Sequence, residues 1–179
     1  MKSIAKLIGL AGIAVASGCS TVPDLYKPAA VGHVHESVIE KGLQVTIRPA
    51  SDQVTVGEII NFEVTYKNVG DQPFLFPKDP NILFLWTYAD GRRDNYLVDD
   101  AVPTHYQSTQ LVSLKPGMSM TSEFPVKTYY FKTQGVTEFK AILRCPQCTN
   151  PEIDSVWHGH AISNAYGVML TRGRKYAAR

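Results

Sequence analysis

Gly57-Glu-Ile-Ile-Asn-Phe-Glu-Val-Thr-Tyr-Lys-Asn-Val-Gly-Asp-Gln-Pro-Phe-Leu-Phe76 decides the fold. Ile60, Phe62, Val64 and Tyr66 share one side of an extended chain, and Asn61, Glu63, Thr65 and Lys67 share the other. Strict alternation is the period of a half-buried β-strand. Asn68-Val69-Gly70-Asp71 follows with turn chemistry, since Gly70 is free to take positive φ. Pro73 to Phe76 then starts a second strand, so the stretch predicts a hairpin with one apolar face to be covered.

The rest of the chain repeats this pattern. Leu43, Val45 and Ile47 alternate with Gln44, Thr46 and Arg48 until Pro49, and Asp52 to Val56 is a short continuation. Ile82 to Tyr88 is apolar on both faces, which marks a central, well-covered strand. Asp90-Gly91 is a hairpin signal leading to Asn95–Val98. Asp99 to Tyr106 is a loop and Gln107 to Leu114 is extended. After the Lys115-Pro116-Gly117 turn, Met118, Met120, Ser122, Phe124 and Val126 alternate with polar neighbours. Tyr129, Tyr130 and Phe131 cluster before the Gln134-Gly135 turn. Phe139, Ala141 and Leu143 form the face of another strand, and Val156–Ser163 and Ala165–Leu170 close the domain. Eight or nine strands, turn signals about every ten residues and no helical period point to an all-β, immunoglobulin-like antiparallel β-sandwich. A closed barrel is the alternative.

The N-terminus has a different character. Met1 to Gly18 carries Lys2 and Lys6 and an apolar run from Leu7 to Ala16, too short for the roughly 20 residues that span a bilayer. It has the form of an export signal. Its ending, Ala16-Ser17-Gly18-Cys19, resembles the lipobox of bacterial lipoproteins. The resemblance implies cleavage before Cys19 and lipidation of that residue with a diacylglyceryl group and an N-acyl chain. At about 0.8 kcal/mol per buried CH₂, more than one chain gives stable anchoring. Ser20, rather than Asp, follows the cysteine, which resembles the pattern sorted to the outer membrane. The domain would then face the periplasm, with the cell surface as the alternative.

The expected layout is a signal peptide over 1–18, a lipidated Cys19 and tether over 19–41, the sandwich over 42–171 and a basic tail over 172–179. The tether lacks periodicity and contains Pro23, Pro28 and Gly32. Its roughly 22 residues reach at most about 70 Å. His33 and His35 within it are solvated linker residues or a two-ligand metal pair.

At 44% hydrophobic and 19% charged, the composition excludes wholesale disorder. The formal charge of +2 is carried by the two ends. The body from Cys19 to Thr171 sums to about −4, which disfavours nucleic acid as a partner.

Turn and strand signatures carry a second resemblance. Asn68-Val69-Gly70-Asp71-Gln72-Pro73, Tyr88-Ala89-Asp90-Gly91, Leu114-Lys115-Pro116-Gly117 and Gly135-Val136-Thr137-Glu138-Phe139 are similar to bacterial immunoglobulin-like domains of the intracellular proteinase inhibitor (BsuPI-like) kind. The resemblance covers about Leu43 to Leu143. The lipobox, the Cys145–Cys148 loop and the Trp157-to-Leu170 extension depart from that pattern. It implies a protease inhibitor, which would need an exposed loop such as Asp99 to His105.

Cys145-Pro146-Gln147-Cys148 has three readings. An oxidising compartment favours a local disulfide between Cys145 and Cys148. A redox pair would need a helix N-terminus to activate a thiolate, and none follows. With His158 and His160 the order C-x₂-C-x₉-H-x-H could hold a metal, by chemistry zinc. Trp157 is a core residue or an aromatic anchor for a partner. Asp94, Asp99, Asp100, His105 and Ser108 contain the ingredients of a hydrolase, yet stand in no recognised catalytic frame.

The sequence therefore predicts a non-enzymatic outer-membrane lipoprotein whose sandwich binds a protein partner or an envelope assembly. No cofactor is expected beyond the lipid on Cys19. The alternatives are a protease inhibitor and a metal-handling or redox lipoprotein using Cys145, Cys148, His158 and His160.

Overall fold

The structure, a computed structural model, describes residues 31–32, 36–97, 102–131, 133–150, 153 and 155–173. The export signal, Cys19, His33 and His35, Asp99 and Asp100, and the tail beyond Gly173 lie outside the described residues.

Two sheets face each other across one core. The smaller has β1 (Leu43–Pro49), β3 (Ile59–Asn68) and β8 (Ser119–Lys127) in that order. The larger runs β2 (Gln53–Thr55), β11 (Tyr166–Thr171), β9 (Gly135–Cys145), β5 (Asn81–Thr87) and β6 (Arg93–Leu97), and β10 (Gly159–Ile162) also pairs with β9. A third pair joins β4 (Phe74–Pro77) to β7 (Leu111–Leu114). Among the named strands every pairing is antiparallel except β2 with β11. The fold is an immunoglobulin-like antiparallel β-sandwich, and the two sheets do not close into a barrel.

The core follows from the alternation. Ile60, Phe62, Val64 and Tyr66 of β3 are all buried. Across the sheet gap they meet Phe84 of β5 and Phe139 of β9, whose rings lie 5.1 and 5.0 Å from that of Phe62. β5 lies between β6 and β9, the central place its two apolar faces predict. Trp86 stacks on Phe131 at 4.8 Å, just after a short 3₁₀ turn over Thr128–Tyr130. A second 3₁₀ turn, Ser108–Gln110, leads into β7.

Two expectations about connectivity need correction. The Asn68–Pro73 turn does not make a β3–β4 hairpin. Both edges of β3 are occupied, by β1 from Pro49↔Phe62 to Leu43↔Asn68 and by β8 from Ile59↔Lys127 to Lys67↔Ser119. β4 therefore pairs with β7 instead. The strand count rises to eleven among the described residues. The short β2 is separate because the chain leaves the small sheet after Pro49 and joins the large one beside β11.

The expected tether is partly docked. Val31 bridges to Gly167, and Val38 donates its N–H to Ile162 O at 3.0 Å. These contacts cover part of the outer edge of β10 and β11, where bare N–H and C=O groups would otherwise invite aggregation.

β8 stays on an edge, and its sequence allows that. Thr128 N–H and Met118 C=O bond toward β3. By alternation the nitrogen of Pro125 points away from β3, so the missing N–H costs no ladder bond.

Candidate functional site

A groove of about 320 Å³ opens at one end of the sandwich, between three segments distant in sequence. Lys41 and Gly42 enter β1, Asn68 to Gln72 leave β3, Phe74 belongs to β4, and Ser155 to His158 precede β10.

Each wall has a local cause. Gly42 and Gly70 pack backbone to backbone: a Cβ on Gly42, which has φ +75°, would lie 3.1 Å from Gly70 Cα. Gly42 O accepts N–H bonds from Val69 at 2.7 Å and Gly70 at 3.2 Å. Asn68 is fully buried and organises the turn. Its Nδ2 donates to Gln72 O and Leu114 O, and its Oδ1 accepts from Gly70 N. On the opposite wall Leu75 N donates to Ser155 O and Trp157 N to Leu75 O, which stitches the 155–157 segment along β4.

Trp157 is a core residue, 4% exposed, whose Nε1 donates to Glu40 O and whose carbonyl accepts from Cys145 Sγ at 3.0 Å. Lys41 Nζ donates to His158 O at 3.0 Å, spanning the groove mouth. Among the described residues, the two non-glycines at positive φ are Lys41 at +47° and Ser155 at +67°, and both line this groove. Backbone held in that region costs about 1–3 kcal/mol and clusters where a site must be shaped.

The cysteines lie behind this wall. Cys145 ends β9 facing the core, and both thiols are free, so the expected Cys145–Cys148 disulfide is not present. The reason lies in where each side chain goes. Cys145 is held by the Trp157 carbonyl and by the Tyr106 hydroxyl. Cys148, half-buried, packs on a separate small cluster of Tyr106, Leu111 and Val156. Burial pushes the Cys145 thiol up to about 11, partly offset by the Tyr106 hydrogen bond, and raises the Tyr106 hydroxyl as well.

The metal reading also changes. Among the described residues no three His, Cys, Asp or Glu side chains converge on an ion position. His158 precedes β10 with its ring toward Val156 O, and His160 is exposed on β10, opposite Arg144. The two do not share a strand face, because β10 begins only at Gly159.

The hydrolase ingredients are spread out too. Asp94 on β6 accepts the Asn95 N–H, His105 is exposed, and Ser108 starts a 3₁₀ turn. Lys41, Gly42 and Asp71 were not singled out by sequence. The Gly70 turn, Trp157 and His158 are the sequence signals that fall at this end of the domain.

The chain matches no protein-family profile and no curated protein sequence. Solved structures with a similar fold include a CARDB domain from Pyrococcus furiosus, 17% identical over 73% of this chain and 94% of that one, with a TM-score of 0.38. The sporulation control protein Spo0M of Bacillus subtilis is 12% identical over 75% of this chain and 51% of that one, with a TM-score of 0.44. AvmM, which catalyses macrocyclization in alchivemycin A biosynthesis, is 15% identical over 79% and 97%, with a TM-score of 0.48. At these identities and scores no activity transfers from any of them.

Proposed function

We propose that the protein is a non-enzymatic lipoprotein of the bacterial outer membrane, anchored through Cys19, whose β-sandwich binds a protein partner of the envelope in the groove between Lys41–Gly42 and Trp157–His158. The observation that carries the binding reading is the groove itself. Half-buried Phe74 supplies apolar surface backed by the buried Trp157, Lys41, Asp71 and His158 supply a polar rim, and the two positive-φ residues hold opposite sides in place. An apolar centre with a polar rim is the anatomy of a protein-recognition surface.

The address rests on the Ala16-Ser17-Gly18-Cys19 motif. With Val31 docked on β11, the twelve residue-to-residue steps from Cys19 to Val31 limit the separation of anchor and domain to about 40 Å. A partner on or near the same membrane falls within that radius.

Asp71 and Gln72 are exposed on the rim, so replacing both by Arg leaves the core intact. Capture of partners from detergent-solubilised envelopes is the test. The same protein should be retained by the wild-type chain and reduced about tenfold by the Asp71→Arg/Gln72→Arg pair, the effect of losing one strong contact. Equal capture by both chains would remove the groove from the function.

A further inference from the structure

Cys145 and Cys148 form neither the expected staple nor part of a metal cluster, and their surroundings give them another use. Both sit against Tyr106, Cys145 through the hydroxyl and Cys148 through the apolar cluster that holds the ring. The chain leaves β9 after Cys145, so Cys148 lies three residues on, in the irregular segment that follows the strand. Cys145 is 2% exposed and Cys148 half-buried, so only one of them is open to a reagent. The Cys145 thiol donates to the carbonyl of Trp157, whose N–H is bonded to Leu75 and whose side chain lines the groove.

We propose that Cys145 and Cys148 are a reversible thiol–disulfide modification site, in which oxidation withdraws the Cys145 hydrogen bond from Trp157 and loosens the groove wall. The co-reactant is a disulfide, protein-borne or small. The Cys148 thiolate attacks one sulfur of that disulfide and releases the first thiol. The Cys145 sulfur then attacks the Cys148 sulfur, its proton passes to solvent, and the second thiol leaves. Two thiols are oxidised to one disulfide and one disulfide is reduced to two thiols. Burial raises the Cys145 thiol, which makes the second step slow and keeps the reduced form in place until an oxidant reaches Cys148. Once the S–H is gone, the buried Trp157 carbonyl has lost its donor, and an unpaired buried carbonyl favours local opening. The inference stands whether or not a partner occupies the groove.

Oxidised glutathione is the probe, applied to the full-length chain in detergent, with alkylation mapped by peptide mass and amide hydrogen exchange followed over residues 155–158. The expected result is an alkylation-resistant 145–148 peptide, two mass units lighter than the reduced one, together with severalfold faster exchange over 155–158 that reverses with dithiothreitol. Cys148→Ser should abolish both changes. Should that variant fail to fold, the wild-type comparison still decides. Thiols that stay open to alkylation, glutathione that remains attached to Cys148, or a disulfide that leaves exchange over 155–158 unchanged would each overturn the proposal.

Discussion

Asn164 holds Ile47 by both of its backbone polar groups. Its Oδ1 accepts the Ile47 N–H at 2.7 Å and its Nδ2 donates to Ile47 O at 3.2 Å. The two residues are 117 positions apart, Ile47 in β1 and Asn164 in the connection between β10 and β11, so one amide side chain acts as a missing strand on the outer edge of β1. Its neighbour Ser163 interrupts the pairing to β9. Ser163 Oγ accepts the Ala141 N–H and its own N–H bonds back to Ala141 O, which separates β10 from β11 and aims Asn164 across the gap.

Asn164→Leu should therefore lower stability far more than its modest size change implies. It leaves two buried backbone groups unpaired at about 1–3 kcal/mol each, so a loss of roughly 2–6 kcal/mol is expected. Chemical denaturation of variant and wild type measures it. A midpoint unchanged within error would mean that the β1 edge finds other partners.

Phe62→Ala removes the ring that touches both Phe84 and Phe139 at the centre of the sandwich. The expected cost is about 3–5 kcal/mol, the usual range for a buried aromatic. Trp86→Ala, which strips a ring from Phe131 and Phe139, should fall in the same range. Thermal melts check both.

Tyr66 is fully buried, and among the described residues its hydroxyl has no hydrogen-bond partner. Burial raises its pKa well above the ordinary 10.0. A raised value means that the folded state keeps a proton the unfolded chain gives up. This contribution is whole below about pH 10 and falls as pH climbs beyond it. Tyr66→Phe removes an unsatisfied polar atom and should be neutral or stabilising at pH 7. It should also flatten the loss of stability above pH 10. Denaturation at pH 7 and pH 11 separates the two effects, and a wild-type slope retained in the variant would place the alkaline sensitivity elsewhere.

The strand β3 was legible in full, because its four core residues alternate with polar neighbours and nothing in the interior opposes the pattern. Its partners were not. A turn sequence such as Asn68–Pro73 reports a local bend, whereas pairing depends on which edge is free, and β1 and β8 had filled both. The centrality of β5 was visible because burial on both faces leaves an apolar run. The groove was hidden for a further reason. Lys41 and Ser155 are ordinary in sequence, and their positive φ belongs to a groove built where three remote segments meet. Asn68 and Asn164 were equally silent, since a buried amide that replaces strand pairing has the same letters as a solvated one.

Cys19→Ser should release the protein from the membrane fraction and abolish the mass added by lipidation. A variant that still fractionated with membranes, at unchanged mature mass, would remove the lipobox reading and the limit of about 40 Å on the domain.

Photo-crosslinking tests the central claim most directly. A benzophenone amino acid placed at Asp71, exposed on the groove rim, is compared in intact cells with one at Thr121, exposed on the outer face of β8. Binding in the groove predicts one discrete higher-mass adduct from position 71 and none from position 121. No adduct from position 71, or the same adduct from both positions, would contradict it.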